Sequence, residues 1–367
     1  MQSPSKSISR GHYVGRILLV FALLCVAALQ PAFGQGFQEQ SDWHHRPQHP
    51  KGFTIKDLGT LPGGDSSQAT GINDRGQVVG YSSTASGSTH AFLFEHGVMT
   101  DLGTLPGGNS SQATGINDRG QVVGYSSTAS GSPHAFLFEH GVMTDLGTLP
   151  GGTFSFAFGI NNRGQVVGYS DGPIGAFFAF LFKDGVMTDL GTLDGDISSA
   201  TGINNRGQVV GTGQANGVNR PGHALLFEDG VITDLGTLGG DSSEANGINN
   251  RGQVVGYSLP GSGADHAFLF EDGVMTDLGT LPDGDFSDAT GINNRGQVVG
   301  YATIANQISH AFFFEDGVMT DLGTLGGDFS FATGINDRGQ VVGYSYTAGG
   351  AQRAVLWIPD HGQCDHD

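Results

Sequence analysis

Between residues 53 and 358 the chain alternates short apolar runs with clusters of Gly, Asp, Asn and Ser. In the first complete unit the runs are ATGIN (69–73), QVVGYS (77–82), HAFLF (90–94) and VMTDLGTL (98–105). Val, Phe, Ile, Tyr and Thr dominate them, and none carries a helical period, so each predicts a strand. Between the first two, Asp74-Arg75-Gly76 places Gly where a tight turn needs a positive φ. Between the last two, His96-Gly97 becomes Asp-Gly at 184, 229, 272 and 316, a hairpin signal. The 63 glycines among 367 residues, far above the usual ~7%, are accounted for by these turns.

The four-run pattern recurs. GIN[DN]RGQVVG starts at Gly71, Gly115, Gly159, Gly202, Gly247, Gly291 and Gly334, in steps of 44, 44, 43, 45, 44 and 43 residues. That period is the length of a four-stranded propeller blade, about 40–45 residues. Seven copies predict an all-β, seven-bladed propeller with four antiparallel strands per blade. The ends fit a ring: FTIKDLGTL (53–61) lacks the three strands that should precede it, and the seventh unit stops after RAVLW (353–357), before its fourth strand. Closure by the N-terminal strand leaves no open sheet edge, whereas an open solenoid has no use for complementary half-repeats. This order puts ATGIN on the axis and VMTDLGTL at the rim.

HAFLFEDGVMTDLGTL and GINNRGQVVG resemble the units of the bacterial extracellular repeat proteins called the HAF family, over residues 53 to about 358. The resemblance implies export and a repeat architecture, and brings no agreed activity or catalytic residues. The His of the motif stands at His90, His134, His223, His266 and His310, but Phe178 and Arg353 replace it in the third and seventh units. These histidines begin third strands, too far from one another for a shared metal, and are expected to pack or hydrogen-bond.

Residues 1–34 read as a signal peptide: Lys6, Arg10 and Arg16 precede the 13-residue run ILLVFALLCVAAL, short for a membrane span. The rest divides into a polar linker (35–52), the propeller (53–358) and a polar tail (359–367). The expected location is extracellular or periplasmic, with no membrane span after cleavage; a retained anchor is the alternative. Cleavage leaves Cys364 alone, so no intrachain disulfide forms, and 13 basic residues against 35 acidic ones, a balance of −22. Such a charge excludes nucleic acid as a partner and favours cations or basic surfaces.

Comparison of the seven units shows where chemistry could sit. The tight turns barely vary, while the loops of the opposite face do: SSTASGST, SDGPIGAFF and SLPGSGAD between second and third strands, PGGDSSQ, PGGTFSF and PDGDFSD between blades. One inter-blade column reads Asp65, Asn109, Thr153, Asp196, Asp241, Asp285 and Asp328, carboxylates expected around one mouth of the channel. Three positions on stand Gln68, Gln112, Phe156, Ser199, Glu244, Asp288 and Phe331. Carboxylates and amides beside aromatic faces suit a sugar or a cation. The competing reading is that Asp caps a turn and Phe fills the gap between blades.

Calcium is the one cofactor to weigh: Asp194, Asp196, Asp283, Asp285 and Asp288 space oxygen ligands at alternate positions, without the Gly and distal Glu of the twelve-residue loop. Gly168-Tyr169-Ser170-Asp171-Gly172 fits a nucleophile motif, but no strand-to-helix turn accompanies it. The reading that follows is a secreted, non-enzymatic, monomeric binding propeller whose ligand-binding residues are Asp65, Asp196, Asp241, Asp285, Asp328, Phe156 and Phe331. A glycan, an envelope component or an exported protein is the expected partner. The alternatives are a hydrolase or lyase with carboxylates at the channel mouth, and a structural matrix protein.

Overall fold

A computed structural model describes residues 52–172, 176–193, 195–214 and 222–360. The signal peptide, nearly all of the linker, and Cys364 fall outside them. The propeller is all-β, with seven four-stranded antiparallel sheets. In blade 1 the strands are Ser67–Ile72, Val78–Ser83, Thr89–Glu95 and Val98–Asp101, from the axis outwards. Blade 7 takes three strands from the C-terminal end and its outermost from the N-terminal end: Phe53–Asp57 pairs antiparallel with Gln352–Pro359, Phe53 opposite Pro359 and Asp57 opposite Val355. The ring therefore closes as the half-repeats require.

The outer strands are shorter than the alternating run suggested, because the chain turns after Asp101. Its carboxylate accepts from the Gly103 amide at 2.7 Å, and Leu102 and Leu105 then leave the sheet to pack between blades. In the hairpins before them, His96 and Gly97 both have positive φ, 51° and 82°, the geometry of a type I′ turn. Blades 5 and 7 start their inner strands early, at Gly239 and Gly326. There the inter-blade loop lacks the proline of units such as Leu61-Pro62, and the extra residues reach Pro260 and Thr347 opposite.

The core is repeated seven times between blades, not gathered at one centre. Each junction joins the second Val of one blade's second strand to the first Val of the next blade's, with an Ala of that blade's inner strand and a large apolar residue of its third strand, as in Val79, Val122, Ala113 and Phe136. Blade 7 has Val355 at that position and, two residues on, Trp357, which is wholly buried and donates its indole N–H to the Leu322 carbonyl at 2.9 Å. Phe53 packs beside it against the Phe313 ring at 5.1 Å. Gly80 is obligatory at the sheet's narrowest approach, since a Cβ there would fall 2.0 Å from the Gln68 carbonyl oxygen.

Candidate binding site

The two faces are built differently. On the tight-turn face, the Asn of each GIN triplet is buried. Its Oδ1 accepts two backbone amides of its own turn, and its Nδ2 donates to the next blade's Asn carbonyl; Asn73 thus reaches Asn117 at 3.0 Å, and Asn336 returns to Asn73 at 3.1 Å. One residue on, the amide of Asp74 donates to Asp118 Oδ1 at 2.9 Å, and the series runs through Asn162, Asn205, Asn250, Asn294 and Asp337 back to Asp74. Two closed hydrogen-bond rings therefore stitch all seven blades.

These residues, with Ile72 and its six equivalents, line an axial cavity of about 170 Å³. Asp337, Asp74 and Asp118 are consecutive around it, and burial pushes the Asp74 carboxyl up against a neighbouring amide that favours its charge. The [DN] column is legible in the repeats as turn residues, and every copy keeps a side-chain acceptor there.

The carboxylates expected at a channel mouth are not among the residues lining this cavity. Asp65, Asp196, Asp241, Asp285 and Asp328 are all exposed on the opposite, loop face. Asp65 accepts from Ser83 Oγ at 2.8 Å, a bond that holds its carboxyl below the usual range. Asp285 accepts from Thr303 Oγ1 at 3.1 Å and from Gln307, and the Asp196 amide donates to Gln214 Oε1 at 3.1 Å. These three tie their inter-blade loops to the end of the second strand of their own blade. Phe156 lies between Tyr125 of the preceding blade, 4.7 Å away, and its own Tyr169 at 5.1 Å. Phe331 repeats this between Tyr301 and Tyr344, at 5.0 and 4.8 Å.

Of the calcium candidates, Asp194 lies outside the described residues. Asp283 and Asp285 are exposed, whereas Asp288 is only 7% exposed and faces the blade junction. Among the described residues no three His, Cys, Asp or Glu side chains converge as a metal-binding group. Each motif His instead pairs with the Asp of DLGTL across the third and outer strands, His90 with Asp101 at 2.8 Å and His310 with Asp321 at 2.7 Å. Arg353 stands 4.0 Å from Asp57 in the seventh blade.

The loop face does gather one unusual cluster. Glu244 of blade 5 sits opposite Tyr257, whose hydroxyl donates to it, and Asp288 of blade 6 is placed in the same way against Tyr301. Asn246, where most blades have Thr, donates across the junction to Asp288 Oδ1 at 2.8 Å. Burial pushes Glu244 up to about 7 and Asp288 up to about 8; Asp265 nearby raises Glu244 further, and Glu244 and Asp265 both raise Asp288. The Tyr257 and Tyr301 hydroxyls are raised as well, chiefly by burial.

No family model matches the chain, and no curated protein does. Among solved structures it is similar to a puromycin-hydrolyzing peptidase of Mycobacterium tuberculosis (TM-score 0.52, 13% identity, covering 73% of this chain and 47% of that one). It is also similar to TolB from Acinetobacter baumannii (TM-score 0.45, 11% identity, covering 64% and 60%) and to the β-propeller domain of the Trilobed protease from Pyrococcus furiosus (0.48, 10%, 69% and 79%). The chain thus spans about half of the peptidase and 60% of TolB. At these identities the likeness concerns the propeller fold alone. No helix among the described residues is long and apolar enough to cross a membrane.

Proposed function

We propose that this chain is an exported, non-enzymatic binding propeller of the HAF type that takes a glycan on its loop face. The observation that carries the reading is the aromatic clustering of that face. Tyr125, Phe154, Phe156, Phe158, Tyr169 and Phe177 form a connected network of partly exposed rings with centroids 4.7–6.4 Å apart. A second group joins Phe286, Tyr301, Phe331 and Tyr344, beside which Phe329, 37% exposed, packs on Tyr346 at 5.9 Å. Partly exposed rings beside amides and carboxylates present the apolar face and the polar partners that a sugar needs.

A glycoside hydrolase of the two-carboxylate type would need its pair driven to opposite protonation states. Glu244 and Asp288 are both driven upward by the same cause, which favours binding over acid–base chemistry.

A glycan array probed with the purified protein is expected to show selective binding. Phe154→Ala and Phe329→Ala should weaken it about tenfold, on the scale of a lost aromatic contact. Val98→Thr, at an exposed rim position, should leave it unchanged. Absence of binding to every glycan class would overturn the proposal.

A further inference from the structure

One cross-strand pair on the loop face sets blade 4 apart. The residue pair that is Gln68–Tyr81 in blade 1 and Phe156–Tyr169 in blade 3 is Ser199–Thr212 there, in the same register. Ser199 is 5% exposed, and its Oγ and Thr212 Oγ1 are buried without a hydrogen-bond partner among the described residues. A buried hydroxyl left unpaired costs about 1–3 kcal/mol, so two at one spot ask for an explanation.

Their direction follows from the repeat. The Tyr of this pair meets the column residue of the following blade, as Tyr125 meets Phe156 and Tyr301 meets Phe331. Thr212 holds that Tyr position in blade 4, and the column residue of blade 5 is Glu244. Thr212 Oγ1 therefore faces Glu244, with Ser199 opposite it in register, and Glu244, Asn246 and Asp288 continue the polar line to Tyr301.

Among the described residues the cluster also lacks a counter-charge. Glu244 is influenced by Tyr257 and Asp265, and Asp288 by Tyr301, Glu244, Asp265 and Asn246, none of them cationic. The basic group bearing on the cluster is His266, which lies beside Asp265 but is paired with Asp277 at 2.8 Å. Tyr344 stands beyond Tyr301, again without positive charge.

We propose that the junctions from blade 4 to blade 6 form a subsite for an amino sugar, a protonated primary amine on a hydroxylated ring. Glu244 and Asp288 face the ammonium group, Ser199 Oγ, Thr212 Oγ1 and the Asn246 amide meet ring hydroxyls, and Tyr257 and Tyr301 wall the site. A cation supplies the counter-charge that the described residues lack, and hydroxyls give the unpaired oxygens donors and acceptors. The inference rests on the glycan reading and specifies its chemistry.

The test is calorimetry of the full-length exported protein with a β-1,4-linked glucosamine tetramer, its fully N-acetylated form and a glucose tetramer. The glucosamine tetramer should bind at least about tenfold more tightly than either neutral oligomer. Heats measured in buffers of different ionisation enthalpy should show proton release on binding near pH 7, as the ammonium displaces protons from the carboxyls. The isosteric pair Glu244→Gln and Asp288→Asn should abolish both the preference and the proton release, with folding checked by circular dichroism. Equal binding of all three oligomers overturns the amine assignment and leaves the glycan reading standing. Amine-selective binding that survives both substitutions overturns the location. Binding of no oligomer by a protein that binds other glycans on an array also overturns the subsite, while binding of no glycan at all overturns both readings. Should the double variant fail to fold, the proton release of the native protein decides: its absence contradicts the subsite.

Discussion

Asp288→Asn is expected to raise the thermal midpoint by about 5–10 °C at pH 8.5 and to change it little at pH 4. Asp288 is almost fully buried, and desolvation carries its carboxyl from 3.8 to about 8. The folded state therefore holds this proton more tightly than the unfolded chain does. Stability is unaffected below about pH 4, falls as pH rises between the two values, and is lowest once the buried group has ionised. A shift of this size corresponds to several kcal/mol, on the order of 5 at most. Asparagine keeps the shape and a carbonyl acceptor for Asn246, but has no proton to lose. Glu244→Gln should act in the same direction and less strongly, since its carboxyl moves only from 4.5 to about 7. Thermal melts from pH 4 to pH 9 check this; parallel profiles for native and variant proteins would show that the carboxyl is solvated.

Deletion of residues 53–57 is expected to lower the melting temperature by more than about 10 °C and to produce oligomers. The deletion removes the buried Phe53 ring, and loss of such a side chain alone costs about 3–5 kcal/mol. It also strips a five-residue ladder from Gln352–Pro359, leaving a bare edge for a second chain to pair with. Trp357→Ala tests the same junction from the other side: it empties the largest fully buried side-chain site and orphans the Leu322 carbonyl, at a comparable cost. Melting curves and size-exclusion profiles distinguish the two effects, since only the deletion exposes an edge.

Blade number, strand order and the site of closure were legible because each blade is a local unit of about 44 residues, and its pattern is written seven times. The outer strand was read too long, since periodicity alone does not reveal that Asp101 folds back onto Gly103. The candidate site was less legible. Glu244 and Asp288 stood in the column noted for its amides, carboxylates and aromatics, but their interaction joins residues 44 apart and depends on desolvation between blades. Ser199 and Thr212 look unremarkable in sequence; only against Tyr125 and Tyr301 in the same register does their small size leave two hydroxyls unmet. The Asp65 column precedes the inner strand on the loop face, while the axial cavity is lined from the end of that strand and the turn after it.

The faces, the axial rings and the junction between blades 4 and 6 all presuppose a ring closed by the N-terminal strand. The repeat supplies its own controls for that claim. Leu58 N donates to the Ala354 carbonyl at 2.9 Å, and Leu102 to Ala91, Leu146 to Ala135, Leu190 to Ala179, Leu235 to Ala224 and Leu278 to Ala267 do the same at the same distance in other blades. Native-state hydrogen exchange measured at these amides tests closure directly. Protection of Leu58 within about tenfold of these five amides, and of Leu322, which donates to Ala311 at 2.8 Å, is the expected result. Exchange of Leu58 at the open-chain rate, with the others protected, would contradict it.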